Sequence, residues 1–306
     1  MTKFTGFFVK ALALLVAAFY LIGSPAAVTG GYRDEKPEGT LLAFNVISDT
    51  HIETNNKYRK NVYIRELRNM KEYSPADDAL CMLGDNTMNS QLMEHLILNG
   101  LTDKLFPTGR RILVCGNHDS GNNGGSFKLK YNRYQNFYNW YNGGEEIDRG
   151  WFSTEINGYT FICLCSEEDT DFLEYVSREQ YDWFCETLKE AAGKGKPVFV
   201  LNHYPETWMI VEGDDELDIQ DELLKYDNVF YFNGHLHPGD LYTYKNSDSN
   251  YSFMLPRITE CDEEDGETYD CTGLGLSVYV TETEVIFRTI NFYTAELVNT
   301  LTVPIV

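Results

Sequence analysis

The sequence predicts an α/β protein with more than one β-sheet, and three observations lead there. Short apolar runs alternate with segments of helical period from residue 41 to about residue 232, the pattern of strands separated by helices. From Tyr251 onward, polar and apolar residues alternate in stretches typical of antiparallel strands. No internal repeat, low-complexity tract or interior linker divides residues 40–306, so this stretch reads as one domain.

The first element reads as a targeting segment. Lys3 and Lys10 precede the apolar run Ala11 to Ile22, and the small residues Gly23-Ser24-Pro25-Ala26-Ala27 follow it. This is the order of a secretory signal peptide, cleaved after about residue 27. The apolar run is shorter than the ~20 residues that span a bilayer, although an uncleaved membrane anchor is the alternative. The first cysteine is Cys81, so the lipid-carrying cysteine of a lipoprotein leader is absent. Residues 28–39, with Gly30, Gly31, Pro37 and Gly39, read as a linker, and the domain after cleavage is expected to be exported and free of the membrane.

Strands are then expected at Leu41–Ile47, Ala79–Leu83, Ile112–Cys115, Phe161–Cys165, Val198–Leu201 and Val229–Phe232. Helices are expected at 57–72, 88–104, 130–141, 177–193 and 216–225, and antiparallel strands at Leu274–Val280 and Glu284–Phe292. The aromatic segment Tyr131, Tyr134, Phe137, Tyr138, Trp140 and Tyr141 in the third of these helices is expected to pack into the core, with a substrate lid as the alternative.

Composition narrows the function. The 306 residues hold 47 Asp and Glu against 25 Lys and Arg, a formal net charge of −22. A nucleic-acid grip needs clustered cations to neutralise phosphates, which this balance argues against. Any anionic ligand must be held by local chemistry that outweighs the global field. Of seven cysteines, Cys81, Cys115, Cys163 and Cys165 fall within apolar runs and Cys185 within a helical pattern, where thiols pack as small hydrophobes. Cys261 and Cys271, flanking the acidic loop 262–265, are the one pair considered for a disulfide.

The six histidines carry the most information. Five of them leave predicted strands in the company of other ligand-type residues: Asp49 and His51 after the first run, Asn117-His118-Asp119 after the third, His203 after the fifth, and His235 and His237 after the sixth. Gly84-Asp85-Asn86 follows the second run. In open α/β sheets the ligand crevice lies at the carboxyl ends of the strands, so these five ends can converge. Positions i and i+2 of an extended chain share a direction, which would aim Asp49 with His51, and His235 with His237, into one cavity. Imidazole, carboxylate and amide oxygens suit Zn, Fe or Mn better than Ca. Strand-end Asp and Asn commonly cap helices, but capping gives no reason for histidines at the other ends. His95, among Leu92, Leu96 and Leu98, reads as a core residue.

The ordered blocks D-x-H, G-D, G-N-H-D, a lone His and G-H-x-H, spanning residues 49 to 237, resemble the calcineurin-like metallophosphoesterases. The resemblance implies a four-layer α-β-β-α sandwich with two mixed sheets and two divalent or trivalent transition metal ions (Mn, Fe or Zn) at the strand ends. One ion would be held by Asp49, His51 and His237, the other by Asn117, His203 and His235. Asp85 would bridge them, one carboxylate oxygen to each. A bridging hydroxide would be the nucleophile and His118 the non-ligand histidine that meets phosphate; Asp119, next to it in sequence, is the candidate for its relay partner. Position 88 departs from two branches: purple acid phosphatases carry a metal-bound Tyr there and protein Ser/Thr phosphatases an Asp, whereas this chain has Met88. The loop Pro205 to Asp218, with Trp208 and Met209, is expected to contact substrate. The expected activity is hydrolysis of a small phosphate mono- or diester. The alternatives are a cyclic-nucleotide-type phosphodiesterase and a cell-surface binding module that keeps its metals without turnover.

Overall fold

A computed structural model describes the chain except residues 1–2, 121–125, 143, 168–173, 214–216, 260–262, 265–266 and 269–272. Cys261, Cys271 and half of the acidic loop 262–265 therefore lie outside the described residues. The elements run α1 (Lys3–Tyr20), β1 (Leu42–Ile47), α2 (Lys57–Tyr73), β2 (Ala79–Met82), α3 (Leu92–Leu105), β3 (Arg110–Leu113), α4 (Asn117–Ser120), α5 (Phe127–Tyr141), β4 (Phe152–Ile156) and β5 (Tyr159–Cys163). Then come β6 (Glu174–Val176), α6 (Arg178–Ala192), β7 (Val198–Leu201), β8 (Met209–Val211), α7 (Ile219–Leu223), β9 (Val229–Asn233), β10 (Tyr242–Lys245) and β11 (Tyr251–Met254). The chain ends with the two-residue strands β12 (Glu263–Glu264) and β13 (Glu267–Thr268), then β14 (Leu274–Val280), β15 (Glu284–Asn291) and β16 (Glu296–Pro304).

Two six-stranded sheets form the centre. One has the order β16-β15-β14-β1-β2-β3 and the other β10-β11-β9-β7-β5-β4. In the first, β1, β2 and β3 are parallel and β14 to β16 antiparallel. In the second, β5, β7, β9 and β11 are parallel, with β4 and β10 antiparallel at the edges. Both sheets are mixed, as expected.

Side-chain alternation shows how the layers stack. Phe199, Leu201, Phe230 and Phe232 face the first sheet, while Val198, Val200, Val229 and Tyr231 face α6 and α7 on the other side. Phe44 of β1 meets the rings of Phe161, Phe199 and Phe232 edge-on at 4.9 to 6.5 Å, which joins the sheets through aromatic contacts. With α2 and α3 covering the first sheet, the result is the four-layer α-β-β-α sandwich. Both faces of the central parallel strands β2, β5, β7 and β9 are buried, so those strands read as largely apolar runs. The four cysteines of the runs are buried free thiols and Cys185 is a half-buried one. Of the α5 aromatics, Tyr134, Phe137, Tyr138 and Tyr141 are buried in the core, while Tyr131 and Trp140 are half-buried.

Residues 28–39 lack regular structure but are tied to the domain. Val28 N–H donates to Asn69 Oδ1, Tyr32 N–H to the Ala295 carbonyl and Asp34 N–H to the Tyr73 carbonyl. The buried Asp34 carboxylate accepts from Tyr279 and Arg288. Ahead of this stretch, α1 packs against α3.

Candidate metal centre

The parallel strands of both sheets end at one edge, and the loops leaving them build the site. The loop after β1 runs beside the loop after β2: Asp49 N–H donates to Gly84 O (3.2 Å), His51 N–H to Asp85 O (2.8 Å) and Ile52 N–H to Asn86 O (3.2 Å). These bonds prolong the β1–β2 pairing past the sheet and set Asp49, His51 and Asp85 side by side. Gly84 has φ of +102°, and a Cβ there would lie 2.6 Å from the His203 ring, so only glycine allows β2 to turn beneath that imidazole. From the second sheet, Gly234 N–H donates to His203 O (3.0 Å) and His235 N–H reaches Asp49 Oδ2 (3.2 Å).

Asp49, His51, Asp85, His235 and His237 all have positive φ, between 39° and 69°. The shared direction of Asp49 with His51, and of His235 with His237, thus comes from left-handed turns rather than from the extended chain expected of i and i+2. Such torsions are uncommon outside glycine and concentrate where structure serves function.

All seven expected ligand residues meet here. The donor atoms of Asp49, His51, Asp85 and His237 lie within 4.8 Å of one another, and so do those of Asp85, His203 and His235. Asn117 Oδ1 joins the second group, 3.0 Å from His203 Nε2 and 3.1 Å from His235 Nδ1. Asp85 belongs to both groups through a single oxygen: Oδ2 is 3.5 Å from His51 Nε2 and 3.3 Å from His203 Nε2. Its Oδ1 accepts the His118 N–H at 2.8 Å. This corrects the expectation of one carboxylate oxygen for each group, because the second oxygen is committed to the backbone.

The donor set fits cations. His51 Nε2 and His237 Nε2 face each other at 3.1 Å, and His235 Nδ1 faces His203 Nε2 at 3.2 Å, so lone pairs converge with too few protons to satisfy them. His203 Nδ1–H donates to Leu83 O (2.9 Å), fixing the tautomer that turns Nε2 inward. Burial opposes charge on every member, yet the electrostatics favour positive charge at the centre. The Asp85 and Asp49 carboxylates overcome burial to lift His203 to about 10. Asp85, against its own burial, is lowered to about 2 by His203 and His51. Asp49 is likewise held well below the usual range by hydrogen bonds to His237 and His51. Burial brings His51 and His235 down to about 4, leaving those imidazoles neutral and able to ligate.

His118 stands at the mouth with its ring 4.6 Å from that of His51 and Nε2 3.9 Å from Asp85 Oδ2. Its Nδ1 pairs with the Met88 carbonyl at 2.8 Å. The expected relay through Asp119 is therefore absent. Asp119 is fully buried and its carboxylate accepts from Asn86 N–H and Nδ2, Thr87 N–H and Oγ1, and Gly116 N–H. It ties the Asp85 loop to the Asn117 loop. Burial and the Asp85 charge raise it to about 6, while those donors hold it down.

Trp208 is half-exposed, its ring 5.8 Å from that of His235, whereas Met209 beside it is buried in β8. Among the described residues of the loop expected to meet substrate, Trp208 is the one whose ring lies beside a ligand histidine. His95 is buried in α3, stacked 4.7 Å from Phe137 and bonded to Ser90 Oγ, away from the centre. Arg257 is a residue that motif reading missed. Ile258 N–H donates to Ser48 O (3.1 Å) and Thr259 Oγ1 to Thr50 O (2.9 Å), which staples its segment along the first ligand loop. The Arg257 charge there contributes to lowering His51.

Comparison with known proteins agrees with this geometry. Residues 42–239 match the family model for calcineurin-like phosphoesterases. Among solved structures, a purple acid phosphatase from yellow lupin (Lupinus luteus) superposes with a TM-score of 0.60 at 12% identity, over 86% of this chain and 53% of that one. The chain therefore spans about half the length of that relative. GAP50, titled as the anchor in the inner membrane complex of Plasmodium, superposes with a TM-score of 0.51 at 10% identity, covering 87% of this chain and 89% of the other. At these identities the likeness is one of fold. No curated protein matches the sequence significantly. The family match covers every strand end that contributes to the two ligand groups, and the chain belongs to the calcineurin-like phosphoesterases.

Proposed function

We propose that this chain hydrolyses small phosphate mono- or diesters outside the cytoplasm, using two transition metal ions drawn from Mn, Fe and Zn. The observation that carries the reading is the sharing of Asp85 Oδ2 between two compact donor groups. Asp49, His51 and His237 would hold one ion and Asn117, His203 and His235 the other. When bound, such a pair supplies a water of lowered pKa and positive charge for the phosphoryl oxygens.

The chain's own groups do the rest. His118, with Nδ1–H given to the Met88 carbonyl, keeps Nε2 for a proton that it can pass to the departing alkoxide. Arg257, on the segment stapled to the first ligand loop, adds positive charge near His51. Trp208 offers an apolar plate beside His235 for the leaving group. A binding module without turnover would have no use for a histidine so placed. The arrangement of Lys3, Lys10, the apolar run and the small residues after it supports export.

The test is turnover of p-nitrophenyl phosphate and of bis(p-nitrophenyl) phosphate by protein loaded with each metal. Hydrolysis of either, abolished by a chelator, is the expected result. Hydrolysis of the diester alone would favour the phosphodiesterase alternative, and no turnover of any ester with both ions bound would leave the binding-module reading.

A further inference from the structure

The inner side of α1 is made for the domain. Gly6, Val9, Ala13, Val16, Ala17 and Tyr20 fall at helical spacing along one stripe. Ala13 and Ala17 are completely buried, and Ala13 clusters with Leu96 of α3 and with Phe137 and Tyr141 of α5. The contact is close: a Cβ at Gly100 of α3 would lie 2.2 Å from the Ala13 carbonyl oxygen, and one at Gly6 would lie 2.8 Å from the Trp140 ring. Lys10 sits over the Tyr141 ring at 5.2 Å, and Lys60 over Tyr20 at 4.9 Å. After the helix, the Ser24 and Pro25 carbonyls accept from Arg68.

The outer side is the opposite of what water favours. Phe7, Phe8, Leu12, Leu15, Phe19 and Ile22 are 48 to 80% exposed, a contiguous apolar strip of a kind that usually marks an interaction surface. Charge says what the strip meets. The helix contains no Asp or Glu, in a chain that has 47, and its charged residues are Lys3 and Lys10. On an acidic protein, α1 is thus an apolar helix whose charges are all positive, and its exposed strip complements an anionic lipid surface. No helix among the described residues is long and apolar enough to cross a membrane, and α1 has one side occupied by α3 and α5. Lying in the plane of the interface is the geometry left to it.

We propose that α1 is retained as a docked element of the domain, and that its strip from Phe7 to Ile22 seats the protein on an anionic membrane surface. The inner fit argues against the cleaved leader expected from the sequence, because removing residues 1–27 would strip Leu96, Phe137 and Tyr141 of their cover. The inference stands apart from the phosphoester reading, and turnover serves in its test only as a check of folding.

The experiment is export of the full chain with a C-terminal tag, mass determination of its N-terminus, and flotation with vesicles of phosphatidylcholine containing phosphatidylglycerol. The expected result is an intact α1 and a chain that floats. Phe8→Asp, Leu15→Asp and Phe19→Asp combined should lower partitioning at least about 100-fold with turnover unchanged. Gly100→Leu, which drives a side chain into α1, should lower the melting temperature while flotation persists. An exported chain beginning near Ala27 would overturn the proposal. So would a triple variant that floats as well as the parent, a Gly100→Leu protein of unchanged stability, or a parent that dimerises through the strip and ignores vesicles.

Discussion

Replacing Gly234 by alanine tests whether the site depends on close backbone approach between the two sheets. A Cβ at position 234 would stand 2.0 Å from Ser48 Oγ and 2.3 Å from Asp49 Oδ2, where real contacts rarely fall below 3.0 Å. Something must yield by about 1 Å to restore contact distance. The Asp49 carboxylate cannot move alone, since Oδ2 accepts from His235 N–H and Oδ1 meets His237 Nε2 at 2.9 Å. The displacement therefore reaches one ligand of each group. A misplacement of ~1 Å around reacting groups costs on the order of 10²-fold, so kcat/KM for p-nitrophenyl phosphate should fall by about that factor. Half-saturation by metal should rise alongside. Gly234 is not among the positive-φ residues, so alanine brings no torsional penalty and the effect isolates space. Gly239 in the same loop has nothing within 4 Å of its would-be Cβ, and Gly239→Ala should be neutral. Turnover across a metal titration, with circular dichroism to check the fold, reads both variants. Parental turnover and metal affinity in Gly234→Ala would refute the reasoning.

Further expectations follow from the same geometry. Asp85→Asn should lower metal content toward zero at concentrations where His51→Ala and His203→Ala each keep about one ion, because one oxygen faces both groups; calorimetry showing two tight ions would reject the sharing. His118→Ala should keep both ions and lose roughly 10² to 10⁴ in turnover, the scale of general acid help, whereas parallel loss of metal would make it a ligand. Asp119→Ala orphans five buried donors and should destabilise the fold by about 5 kcal/mol in urea titration, at ~1 kcal/mol per stranded group; a change under about 1 kcal/mol would contradict the clamp. Iron-loaded protein should lack the intense visible band of the purple enzymes, since Met88 replaces their tyrosine ligand, and a strong purple absorption would count against that reading.

Much of this was legible in the sequence, for identifiable reasons. Strands buried on both faces read as apolar runs, and the residue types that bind metals come directly after them, so Asp49, His51, Asp85, Asn117, His203, His235 and His237 could be named together. What could not be read was how each group is held. Asp119, next to His118 in sequence, points instead to Asn86 and Thr87, because backbone N–H donors carry no signature in the chain. The Met88 carbonyl is equally silent. Arg257 lies just beyond β11, which reaches the site by pairing with β9 and by the bonds of Ile258 and Thr259 to the first ligand loop, contacts between segments far apart in sequence. β16 escaped notice because its residues are mostly exposed and show no alternation.

The left-handed backbone at Asp49, His51, Asp85, His235 and His237 restricts how this centre can be re-engineered. Asp, Asn and His are the non-glycine residues that enter this conformation most readily, so the side chains with suitable lone pairs are also those the turns tolerate. The two requirements coincide at five positions, and that coincidence closes many routes. Exchanging Asp49 for Glu or His235 for Cys to favour another metal would alter ligand softness and backbone torsion in one step, at about 1 kcal/mol or more per misfit residue. Selectivity is therefore easier to change from outside the turns, through the hydrogen-bonding partners of the imidazoles. The Leu83 carbonyl that orients His203 offers one such handle, because the residues around β2 can be repacked without asking any ligand to bend differently.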